Sequence, residues 1–215
     1  MGKALAILGL AIGAFAVLLQ AWLTIPLRMS NGHGLVEAVI FLLSFFTVLT
    51  NIAAVTVYAA SVFPQRLGFL KKMNNPLVRA VVAASIAVVG LVYATVLAKI
   101  WAPEGLFWLC DVLLHYVAPV LYLVWWLGFG RDGSLKLADA PKFLAAPLVY
   151  LAYAIIRGIL TGAYPYPFID MAALGAAQVA VNCLLVAALF LAVSLLAIAI
   201  DLFLKPPFSH PRPVQ

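Results

Sequence analysis

The chain is 215 residues long, 67% hydrophobic and only 9% charged, with a formal net charge of +6. An ordinary soluble domain runs at about 45–50% apolar and about 25% charged residues, so a water-soluble fold of this length is excluded: it has nowhere to hide that much apolar surface. The positive charge does not point to nucleic acid, because the basic residues lie between and beside apolar runs and form no patch on a polar fold.

Cut at their polar interruptions, the apolar runs predict six helices. The first, Ala4–Leu27, follows Met1-Gly2-Lys3 and continues past Gln20. It is too long for the h-region of a signal peptide, about 7–15 residues, and reads as a span. Gly9 and Gly13, four apart, predict that this helix approaches a neighbour closely. After the turn Ser30-Asn31-Gly32-His33-Gly34 comes the second helix, Leu35–Phe63. Asn74-Asn75-Pro76 opens the third, Pro76–Ala98, and the fourth, Leu106–Leu127, ends before Arg131-Asp132-Gly133-Ser134. Phe143–Leu160 and Ala172–Leu204 complete the set. The expected fold class is therefore all-α: a polytopic integral membrane bundle, with residues 1–204 forming one transmembrane domain. The proline-rich stretch 205–215 is expected to be a short disordered tail.

Orientation follows from Lys and Arg, which are translocated reluctantly. Lys3, Arg66, Lys71, Lys72, Arg79, Arg131, Lys136, Lys142, Lys205 and Arg212 fall on one side, against Arg28, Lys99 and Arg157 on the other. Ten against three predicts that both termini are cytoplasmic, which requires an even number of spans. Cys110 and Cys183 lie inside apolar runs and read as small hydrophobes, and His33, His115 and His210 are scattered without metal-ligand spacing. No metal or other cofactor is expected.

A strongly polar side chain in hydrocarbon costs roughly 2.5–3.5 kcal/mol on insertion scales, so each needs a partner, a wet cavity or a purpose. Glu37, Asp170 and Asp201 are close enough to helix ends for solvation to explain them, and Arg157 is expected to reach the surface or to pair with Asp170 or Glu37. Gln20 and Thr24 mark the first helix; Thr47, Thr50 and Asn51 share a face of the second, Asp111 and His115 of the fourth, and Gln178 and Asn182 of the sixth. Counted at about 1.5 Å per residue, Thr47, His115 and Asn182 lie about 14–18 Å from the starts of their helices, at one level. A threonine hydroxyl beside a histidine can act as nucleophile and base. Asp111, one turn before His115, can orient the imidazole, while Asn51, Asn182 or Gln178 can donate to an oxyanion. Such residues also serve as interhelical hydrogen-bond glue worth about 0.6–2 kcal/mol.

The runs Phe45-Phe46-Thr47-Val48-Leu49-Thr50-Asn51, Leu114-His115-Tyr116-Val117-Ala118-Pro119 and Tyr164-Pro165-Tyr166-Pro167-Phe168-Ile169-Asp170 resemble those of the bacterial Pr6Pr membrane proteins. These are in turn similar to the eukaryotic androgen-induced and androgen-dependent transmembrane proteins. The resemblance implies a threonine-dependent carboxylic ester hydrolase of the kind that cleaves fatty acid esters of hydroxy fatty acids. It places the base at His115 and the nucleophile at Thr47, with Thr50 one turn away as the alternative. It further implies a bacterial inner membrane location and a fatty-acyl ester drawn from the bilayer as substrate. The competing expectation is a non-enzymatic lipid or head-group binding protein, or a small carrier, using Asp111 and His115.

Overall fold

The computed structural model describes residues 1–63 and 68–204. Arg66, Lys205, His210 and Arg212, and the tail expected at 205–215, lie outside the described residues. No strand occurs among the described residues. In chain order the helices are α1 (Gly2–Ser30), α2 (Leu35–Leu43), α3 (Phe46–Val62), α4 (Gly68–Met73), α5 (Pro76–Thr95), α6 (Gly105–Val112), α7 (Ala118–Trp125), α8 (Ala140–Thr161) and α9 (Met171–Phe203).

Five continuous helical stretches, Gly2–Ser30, Pro76–Lys99, Gly105–Gly130, Leu137–Thr161 and Met171–Phe203, are long and apolar enough to cross a membrane. The pair α2 and α3 qualifies as a sixth only when counted together, because the two helices meet at 79°. The outward faces are greasy: Leu18, Trp22, Val149, Leu160 and Leu184 are all exposed. Such a surface suits lipid and marks a multi-pass membrane protein.

The expected continuous helix Leu35–Phe63 is thus corrected to two helices. Ser44 closes α2, and Phe45 is extended at φ −91°, ψ 124°. No proline or glycine stands there, so the break is stabilised from outside. Tyr150 donates to the Ser44 carbonyl at 2.8 Å. The Ser44 hydroxyl donates to Ile40 O at 2.6 Å and faces the Tyr153 hydroxyl at 2.8 Å. The Thr47 N–H donates to the Tyr166 hydroxyl at 3.3 Å. Backbone groups freed inside a membrane protein must find partners, and tyrosines of α8 and of the following loop provide them.

Gly9 and Gly13 face α3. A Cβ on Gly9 would lie 2.3 Å from Tyr58 Cζ, and one on Gly13 would lie 2.8 Å from Val55 Cγ2, so glycine permits this close approach. Asn75 caps α5 by accepting from the Leu77 N–H, with Pro76 at the first helical position. Asp170 caps α9 by accepting from Ala172 and Ala173, and Gly175, at φ 76°, kinks that helix soon after its start.

At one end of the bundle Gly2 abuts Phe129, and Asp201 accepts from the N–H groups of Gly133 at 3.1 Å and Leu135 at 3.0 Å. The beginning of α1 and the end of α9 therefore both lie beside segment 129–135. Asp201 is only 2% exposed, which corrects the expectation of a solvated carboxylate: it anchors the 131–135 loop to α9. Of the two expectations for Arg157, the ion pair is not formed: it donates to the Ala163 carbonyl in an exposed hydrogen bond and pairs with neither Asp170 nor Glu37.

Candidate functional site

Two irregular stretches of helix supply the site. The first is the break just described: Thr47 stands in the opening turn of α3, 6% exposed. A nascent negative charge on its hydroxyl would face the positive end of that helix. Its Oγ1 lies 3.5 Å from the Tyr166 hydroxyl, the outer limit of a hydrogen bond.

The second is a π-helical turn, Leu113–Val117, joining α6 to α7 and centred on His115. Pro119 explains it: proline has no N–H to give the carbonyl four residues back, and its ring crowds that carbonyl, so the chain widens locally. Gly90 of α5 leaves the room, since a Cβ there would come within 3.3 Å of the His115 carbonyl.

His115 is fixed on three sides. Its Nδ1 lies 3.1 Å from Asp111 Oδ1 and 3.0 Å from the Asp111 carbonyl. Both neighbours are acceptors, so in the neutral imidazole Nδ1 carries the hydrogen and Nε2 the lone pair. The imidazole stacks on Tyr93, with centroids 3.9 Å apart and planes inclined by 13°. The Tyr93 hydroxyl in turn donates to Asp111 Oδ2. Asp111 is buried at 8% exposure and occupied by Tyr93 and His115 together.

Thr47, Asp111 and His115 all line one cavity of about 540 Å³, whose wall also includes Arg28, Tyr93 and Tyr166. A second, apolar cavity of about 110 Å³ lies among α5, α8 and α9, walled by residues such as Val88, Leu148 and Phe190. Thr47 and Tyr166 belong to both walls. No direct hydrogen bond joins Thr47 to His115; what they share is the cavity.

Asn51 connects the two irregular stretches. Its amide donates to the Thr47 carbonyl at 2.8 Å and to the Leu114 carbonyl at 3.2 Å, while its buried Oδ1 has no partner. Asn51 is thus a clamp between α3 and the π turn rather than a donor facing the cavity. Thr50 is buried and absent from both cavity walls. Gln178 and Asn182 also lie off those walls: Gln178 donates to Asn182 Oδ1 at 3.0 Å, and Asn182 donates to the Phe168 carbonyl at 2.8 Å. Their amides tie α9 to the turn Pro167–Ile169.

Tyr93 and Tyr166 are site residues that polarity alone did not reveal, because tyrosine passes as an ordinary apolar residue in a membrane helix. A signal existed for Tyr166, in the Tyr-Pro-Tyr-Pro-Phe stretch that fixes its loop. Among the described residues no three His, Cys, Asp or Glu side chains gather to hold a metal ion. Compared with known protein families, with curated proteins and with solved structures, the chain matches none.

Proposed function

We propose that this protein is an intramembrane ester hydrolase acting on a fatty-acyl lipid, with Thr47 as nucleophile and His115 as base. The observation that carries the reading is the shared cavity. A hydroxyl at a helix N-terminus and an imidazole oriented by a buried Asp111–Tyr93 pair open onto one space of about 540 Å³. The sequence resemblance to Pr6Pr proteins and their eukaryotic relatives supports the same assignment.

In this mechanism Thr47 Oγ1 adds to the ester carbonyl carbon and its proton passes to His115 Nε2. The oxyanion faces the N-terminal end of α3 and the Tyr166 hydroxyl. The bond to the alcohol oxygen then breaks, and His115 returns its proton to the departing alkoxide. Water adds to the acyl-threonine with His115 again taking a proton; the bond between the acyl carbon and Thr47 Oγ1 then breaks, the carboxylic acid leaves, and His115 returns the proton to Oγ1. The acyl chain occupies the apolar cavity on the far side of Thr47, and the alcohol portion lies in the larger one. In this reading the basic asymmetry favours cytoplasmic termini, the membrane is the bacterial inner one that the resemblance implies, and the larger cavity lies towards the opposite face.

Labelling tests this directly: a long-chain fluorophosphonate should form an adduct on Thr47 that disappears in His115→Ala. An adduct on another residue, or none at saturating probe, would reject the nucleophile. One observation favours a second reading, a lipid-binding protein: the absence of a direct Thr47–His115 hydrogen bond. Tight lipid binding with no labelling would select it.

A further inference from the structure

Arg28 carries chemistry that ester cleavage does not use. Gln20, Thr24 and Arg28 are spaced four apart on α1 and all line the larger cavity. Gln20 Nε2 donates to Thr24 Oγ1 at 2.8 Å, which leaves the Thr24 hydroxyl hydrogen free to be given onward. The Arg28 guanidinium lies over the Phe41 ring, 4.4 Å from its centroid, and its Nε is buried without a hydrogen-bond partner. A guanidinium that merely reached up to the membrane surface would turn its nitrogens to water. Here the nitrogen is enclosed beside a cavity.

Among the described residues no carboxylate pairs with Arg28. Glu37 accepts from the Gly34 N–H at 3.2 Å and faces His33 at 3.4 Å. Asp111, the acid on this cavity wall, is held by Tyr93 and His115. A half-buried guanidinium whose Nε is enclosed without a partner, and which has no acid of its own among the described residues, suits an anion. Leu27, Phe45, Ile100 and Phe107 supply apolar wall alongside.

We infer that Arg28 and the Gln20–Thr24 pair bind the anionic oxygen group, carboxylate or phosphate, of an amphiphile whose apolar part lies in the same cavity. The planar fork of arginine suits either group through paired N–H donors. This site does not rest on hydrolysis at Thr47, and binding can be read without turnover.

The test uses the full chain in phosphatidylcholine nanodiscs with 9,10-dibromostearate as a tryptophan quencher, since Trp101 lines the cavity. Saturable quenching should be displaced by oleate or by oleoyl lysophosphatidate, the effective one naming the anion, and not by oleyl alcohol. Arg28→Gln should weaken binding by about tenfold or more, Arg28→Lys by less, and Lys99→Gln, an exposed cation off the cavity wall, not at all. Displacement by oleyl alcohol as strong as by the anions would overturn the proposal even if Arg28→Gln failed to fold. So would unchanged affinity in Arg28→Gln, or equal losses in Arg28→Gln and Lys99→Gln. Displacement by inorganic phosphate at the same concentration as the amphiphiles would reject the amphiphile in favour of a free anion.

Discussion

The helix ladder is interrupted on both sides of the cavity, and the two interruptions have different origins. At Leu113–Val117 the cause is local: Pro119 withholds an N–H from the His115 carbonyl, and the chain widens into a π turn. At Ser44–Phe45 the local sequence contains no breaker. The 79° bend is sustained by hydroxyl groups of Tyr150, Tyr153 and Tyr166 that arrive more than a hundred residues later in the chain. The His115 side is therefore built into its own helix, whereas the Thr47 side depends on the docking of α8 and its following loop. Asn51 ties one to the other.

The largest expected effect comes from removing the group that each interruption presents. Thr47→Ala and His115→Ala should each lower long-chain ester hydrolysis per folded molecule by about a thousandfold or more, and the double variant should be little worse than either single one, since nucleophile and base act as a unit. Additive losses in the double variant would show that the two sides do not cooperate. Thr50→Ala should keep its turnover; if it loses activity while Thr47→Ala keeps it, the nucleophile lies one turn further along α3.

Next in size is the dependence of the break on distant tyrosines. Tyr150→Phe with Tyr153→Phe removes two hydrogen bonds at Ser44, and about 0.5–1.5 kcal/mol for each predicts a stability loss of roughly 1–3 kcal/mol in detergent unfolding. Turnover should fall too, because Thr47 stands three residues beyond Ser44. Pro119→Ala probes the opposite side: it restores an N–H for the His115 carbonyl, so stability should hold or rise. The π turn should tighten and turn His115 away from the Asp111 carboxylate, with turnover down by about tenfold. Loss of stability in Pro119→Ala would mean that the wide turn is imposed by packing and not by the proline.

These origins also decide what could be read from the sequence. Hydropathy located the apolar stretches to within a few residues, Asn75-Pro76 announced the start of α5, and Gly9 with Gly13 announced the close contact of α1, because each signal is local. The division of Leu35–Phe63 was invisible for the opposite reason: the groups that stabilise it lie on another helix and in another loop. Asp201 misled in the same way, since its partners, the Gly133 and Leu135 amides, reach it through tertiary packing. In the site, the Asp111–His115 pairing followed from helical spacing. The Tyr93 stack and the Tyr166 contact required knowing which helices meet.

The smallest expected effect tests whether spacing alone makes a site. Gln178 and Asn182 form a polar pair at the same four-residue interval as Asp111 and His115, and on sequence both pairs are candidates, the one as oxyanion donors and the other as a base with its orienting group. Their surroundings differ. Gln178 is exposed and donates to Asn182, and Asn182 donates to the Phe168 carbonyl, off both cavity walls. Gln178→Ala should therefore change stability by no more than about 0.5 kcal/mol, as an exposed substitution usually does. Asn182→Ala removes a bond to the Pro167–Ile169 turn and should cost about 0.5–1.5 kcal/mol. Because Asn182 lies off both cavity walls, any effect of Asn182→Ala on turnover should appear only through the unfolded fraction and vanish once rates are expressed per folded molecule. A turnover loss that survives this correction would bring α9 into the site, and the oxyanion would then need a donor from Asn182 in addition to Tyr166 and the end of α3.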